Sequence, residues 1–273
     1  MKKSSLATTL VATASALALS LAPLAPASAA TSAWGVWSDD DSTLTFSSAG
    51  AANATWTVTG YLDYWIVPTD EDDEYFVAAT PIGAIFGANG PSSTENYLRA
   101  ESEDSNTTTP IIVTVTFDSA VGAGLLGFAV SDLDTDHVTV TATGTTGSAL
   151  AGSEIVGTST DSAFNFCNYP TSPCSDTAVP TITQNANDVV ATGDSTSSDG
   201  STAWFRPSVA VKTVTFTYLN DDDTNTSTGR FWFAQNAAPL PDTGLSSSSM
   251  ITLLAVGAAL LAAGGLLIAR RHS

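Results

Sequence analysis

The chain of 273 residues carries 27 acidic against 8 basic side chains, a formal charge of −19 at neutral pH and a pI near 4.1. So strong an acidic balance repels phosphate and excludes nucleic acid as a partner. Hydrophobic residues make up 43% of the sequence, enough to bury a sizeable core.

The charge is unevenly placed. Every acidic residue falls between Asp39 and Asp242, whereas Lys2, Lys3, Arg270 and Arg271 stand in the two ends. Lys2 and Lys3 precede an apolar run from Leu6 to Leu24, and Ala27, Ser28, Ala29 and Ala30 then supply the small residues that a signal peptidase accepts. Residues 1–29 are therefore expected to be a signal peptide, with Pro23 and Pro26 arguing against a retained helical anchor. Between the two ends, 27 acids face four bases, Arg99, Arg206, Lys212 and Arg230, a formal charge of −23.

Alternation dominates residues 30–236. Ile111, Val113, Val115 and Phe117 share one face of "IIVTVTF", with Thr114 and Thr116 on the other. Val138 and Val140 repeat the pattern, as do Val214, Phe216 and Tyr218, and then Phe231 and Phe233. Short strands broken by Gly, Asn, Asp and Ser predict an all-β ectodomain, an antiparallel sandwich. Thr181 to Ser201 gives the weakest strand signal, and "GDSTSSDGST" within it reads as a loop.

Several groups in this region could carry chemistry. Cys167 and Cys174 are the only cysteines; in an exported chain such a pair around Pro170 and Pro173 reads as a disulfide clamping a loop. Asp132, Asp134 and Asp136 in "SDLDTDH" offer the hard oxygen ligands that calcium takes, so calcium is the possible cofactor, although His137 and Thr143 stand where an EF-hand loop would need Gly and Glu. The acidic runs at 39–41, 70–74 and 221–223 read as solvated loops. Six tryptophans, Trp34, Trp37 and Trp65 among them, would suit stacking on sugars if exposed and a core if not. Lys212 is the one lysine left after removal of the signal peptide, a candidate for an internal cross-link or an exposed ladder position. His137 is the only histidine of residues 30–243, and no nucleophile elbow, metalloprotease motif or phosphate loop is present, so no enzymatic activity is expected.

The last stretch is the most informative. Leu240, Pro241, Asp242, Thr243 and Gly244 are followed by a polar spacer, an uncharged run over 250–269 and the basic residues Arg270 and Arg271. Twenty residues at about 1.5 Å each just cross a hydrocarbon core, and the arginines beyond them hold that side in the cytoplasm. In order and composition this resembles the LPXTG sorting signal of Gram-positive cell-wall proteins, the substrates of sortases. The resemblance implies attack of a sortase cysteine on the Thr243 carbonyl, release of Gly244 onward, and transfer of the acyl group to an amine of peptidoglycan. It divides the chain into a signal peptide (1–29), an ectodomain (30–236), a linker with the sorting motif (237–249), a membrane span (250–269) and a basic tail (270–273). The strand, DxD turn and closing hairpin of "FAVSDLDTDHVTVTATG" and "VTFTYLNDDDTNTSTGRFWFA" are similar to jelly-roll-like bacterial surface domains. That similarity implies a surface binding or adhesion module for a glycan or a host or neighbouring-cell protein. A structural envelope component is the alternative, and a surface glycan hydrolase a more distant one.

Overall fold

The computed structural model describes residues 33–48, 50–60, 62–66, 76–89, 97–102, 108–170, 176–194, 200–221 and 228–237. The expected signal peptide, sorting motif, membrane span and basic tail lie outside these residues, as does Cys174.

The described strands in chain order are β1 (Ala33–Trp34), β2 (Val36–Ser38), β3 (Thr43–Thr45), β4 (Ala54–Gly60), β5 (Leu62–Ile66), β6 (Tyr97–Ser102), β7 (Ile111–Val121), β8 (Leu126–Ser131), β9 (His137–Thr143), β10 (Ala163–Asn165), β11 (Thr181–Gln184), β12 (Val189–Thr192), β13 (Ser201–Phe205), β14 (Val211–Leu219) and β15 (Thr228–Gln235). Two short helices interrupt them, α1 (Gly83–Phe86) and α2 (Gly152–Val156). The strands form two antiparallel sheets. The first runs β10-β13-β8-β15-β6-β5, with β1 pairing the end of β15; the second runs β11-β12-β9-β14-β7-β4-β3-β2.

The expected alternation builds the interface between the sheets. Val113, Val115 and Phe117 of β7, Val138 and Val140 of β9, and Val214, Phe216 and Tyr218 of β14 are all buried in one core with Phe231 and Phe233 of β15. Phe128 sits among Phe205, Phe216 and Phe233, with ring centroids 5.5–5.7 Å away. Tilted and edge-on rings at this spacing add to the roughly 2 kcal/mol that burial of each Phe contributes.

The inner strands β8, β13 and β15 of the first sheet are buried on both faces, which the alternation did not predict. Its outer face carries Tyr97, Ala129, Phe164, Trp204, Trp232 and Ala234, covered by Phe76, Ile82, Phe86 and Phe166 in a second apolar cluster. Phe76 packs on Trp232 at 5.0 Å, and Tyr97 does so at 4.9 Å. The cover over residues 76–89 is closed by Asn89, whose side chain accepts from Phe76 N at 2.5 Å while its backbone N–H donates to Phe76 O at 3.1 Å. Gly127 makes room for it: a Cβ there would meet the Phe86 ring at 2.3 Å.

The outer face of the second sheet is open and rich in threonine. Thr57, Thr114, Thr215 and Thr141 lie in one cross-strand row. Beside it run Thr43, Thr55, Thr116, Thr213 and Thr143 on one side, and Thr59, Ile112, Thr217, Thr139, Val190 and Thr183 on the other. These side chains are exposed or half-buried.

The stretch with the weakest strand signal needs correction in its first half. Residues 181–192, ahead of the part read as a loop, fold as the hairpin β11–β12. Asn185 closes the turn, its backbone N–H donating to Asp188 O at 2.9 Å and its side chain to the Asp188 carboxylate at 2.6 Å. Val189 and Ala191 reach the core, so β12 extends the second sheet beside β9.

Candidate functional site

The three aspartates of "SDLDTDH" lie on the turn between β8 and β9, and each is drawn a different way. Asp132 adopts a left-handed φ of 66°. Arg230, opposite Ser131 in the β15–β8 ladder, makes a salt bridge to its carboxylate. Asp136 is 2% exposed and accepts a 2.5 Å hydrogen bond from the hydroxyl of Tyr218. Its backbone carbonyl accepts from Gly193 N at 2.8 Å. The Asp134 carbonyl abuts Gly193 so closely that a Cβ on that glycine would meet it at 1.8 Å. The turn is thus stitched to the end of β12, to β14 and to β15. Among the described residues no group of three or more His, Cys, Asp or Glu side chains is placed to hold a metal ion.

His137 faces outward at the start of β9 and bonds Asp221 through Nδ1 at 2.6 Å. Next to Arg230 in the sheet stands Arg99, in register with it and paired to Glu101 at 3.1 Å. Two of the four cations of the exported region are therefore paired with carboxylates side by side on adjacent inner strands of the first sheet. On the exposed turn before β3, the Thr43 hydroxyl donates to Asp41 at 2.6 Å and, with Ser38, holds that carboxyl below its usual range.

Cys167 is disulfide-bonded and 9% exposed, on a 3₁₀ turn at Phe166–Asn168. Asn165 caps that turn, accepting from Cys167 N at 2.9 Å and donating to Ala178 O at 2.8 Å. Burial, followed by the charge of Asp161, pushes the phenol of neighbouring Tyr169 up.

The tryptophans do not form a sugar platform among the described residues. Trp37, Trp56, Trp204 and Trp232 are core residues at 2% exposure or less. Trp34 is half-buried, stacked on Phe76 at 5.6 Å and bonded through Nε1 to Gly87 O at 3.0 Å. Lys212 lies at the β-bulge in β14 and donates to the backbone carbonyls of Phe117 and Asp118. Its ammonium is engaged by carbonyls of β7 at the register shift between the two strands, which leaves no observation in favour of a cross-link to an asparagine.

The chain leaves the sandwich from β15. Gln235, 1% exposed, clamps the backbone of Ala52 with two bonds, accepting from its N–H at 3.0 Å and donating to its carbonyl at 2.7 Å. Asn236 N donates to Leu125 O at 2.9 Å. A small cleft of about 80 Å³ lies beside this exit, lined by Gln235, Asn236, Ala52 and Val121 among others. The segment at and beyond this exit decides the protein's placement: residues 234–272 match the family model of the LPXTG cell wall anchor motif. The chain carries a cell wall anchor. No curated protein is detectably similar to the chain as a whole. The anchor implies processing by a sortase and attachment to peptidoglycan, so the protein is secreted and held on the wall. Its match begins inside β15, so the matched region overlaps the end of the sandwich.

Proposed function

We propose that the anchored β-sandwich is a binding module, acting by contact and not by turnover, with Thr243 as the point of attachment to peptidoglycan. The anchor carries this reading: covalent attachment fixes each copy at the cell surface, where a domain built of rigid sheets can meet ligands without diffusing away. The candidate ligands are glycans and proteins of a host or a neighbouring cell. A second reading, a structural component of the envelope, is favoured by the short connection: Thr243 lies six positions after Ala237, a span of at most roughly 20 Å.

Presenting the purified full chain to a glycan array and to matrix proteins separates the two. Saturable binding to any one ligand class is the expected outcome. Silence on both surfaces, with a deletion strain altered in envelope integrity and unaltered in attachment, would replace the binding reading with the structural one.

A further inference from the structure

The open face of the second sheet stands apart from the rest of this acidic domain. Its central rows carry hydroxyls and methyls and no carboxylate or cation, although the exported region has a formal charge of −23. The acids are displaced to the margins: Asp39, Asp40 and Asp41 occupy an exposed turn, Asp188 the β11–β12 turn, and Asp221 the end of β14. From this the geometry points to the threonine face as a docking surface for an uncharged glycan strand of the cell wall to which the anchor joins the chain. The inference rests on the binding reading above and gives it a surface and a ligand class.

Three observations favour that occupant. The first is chemical. Strand spacing and rise place a hydroxyl every ~4.8 Å across the strands and every ~6.7 Å along them. Each threonine hydroxyl offers one donor and two acceptor positions, and neighbours can share them, as Thr114 and Thr215 do at 3.3 Å. A surface that mixes hydroxyl and methyl groups matches a sugar chain, whose rings present apolar C–H faces and hydrogen-bonding edges.

The second is electrostatic. A polyanion would be repelled by the domain as a whole, and a basic protein would be drawn to the acidic turns and not to this face. A neutral polymer meets neither obstacle. The third is placement. The six positions from Ala237 to Thr243 hold the sandwich within roughly 20 Å of its attachment point, so wall glycan is present at high effective concentration. Sheet twist selects the form of the ligand as well. Adjacent strands rotate by about 20°, so the face is saddle-shaped and suits a single flexible strand draped across it, not a flat crystalline lattice.

Co-sedimentation of the purified full chain with isolated, protein-free peptidoglycan tests this. The wild-type chain is expected to pellet saturably. The Thr57→Glu, Thr141→Glu pair, which plants charge in the central row, should lower retention at least tenfold. The milder Thr141→Val, Thr215→Val pair, which keeps strand propensity and removes two hydroxyls, should lower it several-fold with an unchanged melting curve. Asp39→Asn with Asp40→Asn should leave retention as it was. Undiminished retention by both threonine pairs would overturn the assignment of the face and leave the binding reading standing. A wild-type chain that ignores peptidoglycan yet binds on a glycan or protein array would overturn the choice of ligand alone. A chain that binds in none of these assays would overturn both.

Discussion

The hydrogen bond from Tyr218 to Asp136 shows how much one polar pair can hold in place. Both residues are nearly inaccessible, and Asp136 stands where the β8–β9 turn meets β12 and β14. Removing the donor would leave a buried carboxylate short of one bond, and its desolvation would no longer be offset. Tyr218→Phe, which keeps the ring in its contact with Phe231, is therefore expected to destabilise the fold by about 1–3 kcal/mol in urea unfolding. An unchanged midpoint would show that the bond contributes nothing net. At this scale the sequence was least readable. The spacing of Asp132, Asp134 and Asp136 suggested a cation turn, because nothing local shows that Tyr218 and Arg230 arrive from β14 and β15, Tyr218 standing 82 positions further along the chain. The same holds for Trp34 and Trp37: residue type made them candidates for sugar stacking or for burial, and partners from elsewhere in the chain decided the outcome.

Elements were more legible, in proportion to how one-sided their burial is. β7, β9 and β14 have one wet face and alternate cleanly, so their inward residues could be named in advance. β8, β13 and β15 are covered on both sides and read as near-continuous apolar runs, as in "RFWFA" and "LGFAVS". Such runs are the mark of two-sided burial, and they were the available signal for the second aromatic cluster. β11 escaped notice because Ile182 is its single apolar residue packed on the core. The cover over the first sheet depends on a close approach, and Gly127→Ala tests it. A methyl group there must push Phe86 aside, at a cost of about 1–3 kcal/mol by overpacking. Limited proteolysis should then cut first within residues 76–89, while a pattern identical to wild type would mean the Phe86 ring repacks without loosening its segment.

For the whole molecule, placement was written more plainly than role. Four ordered features, a pentapeptide, a spacer, an apolar run and a basic cluster, identify an anchor because each part serves a different step of export and attachment, and their joint occurrence by chance is improbable. A binding role has no comparable signature, since a sheet face is made of the same residues whether or not it meets a ligand. The anchor makes a direct prediction. Protein released from the wall by a muralytic enzyme should carry a fragment of peptidoglycan on Thr243 and lack everything from Gly244 onward. Thr243→Ala should abolish the wall-linked form, and intact mass spectrometry reads both results. Recovery of an uncut carboxyl-terminal segment on wall-bound protein would refute sortase attachment at this residue.

The exit through β15 also has a mechanical meaning. That strand lies between β8 and β6, and β1 continues the flank beside its final residues, so it has neighbours on both sides up to Gln235. Tension arriving from the wall would run along the strand axis and load those ladders in shear, where many hydrogen bonds must yield together. A tether leaving from an edge strand would let them peel one at a time.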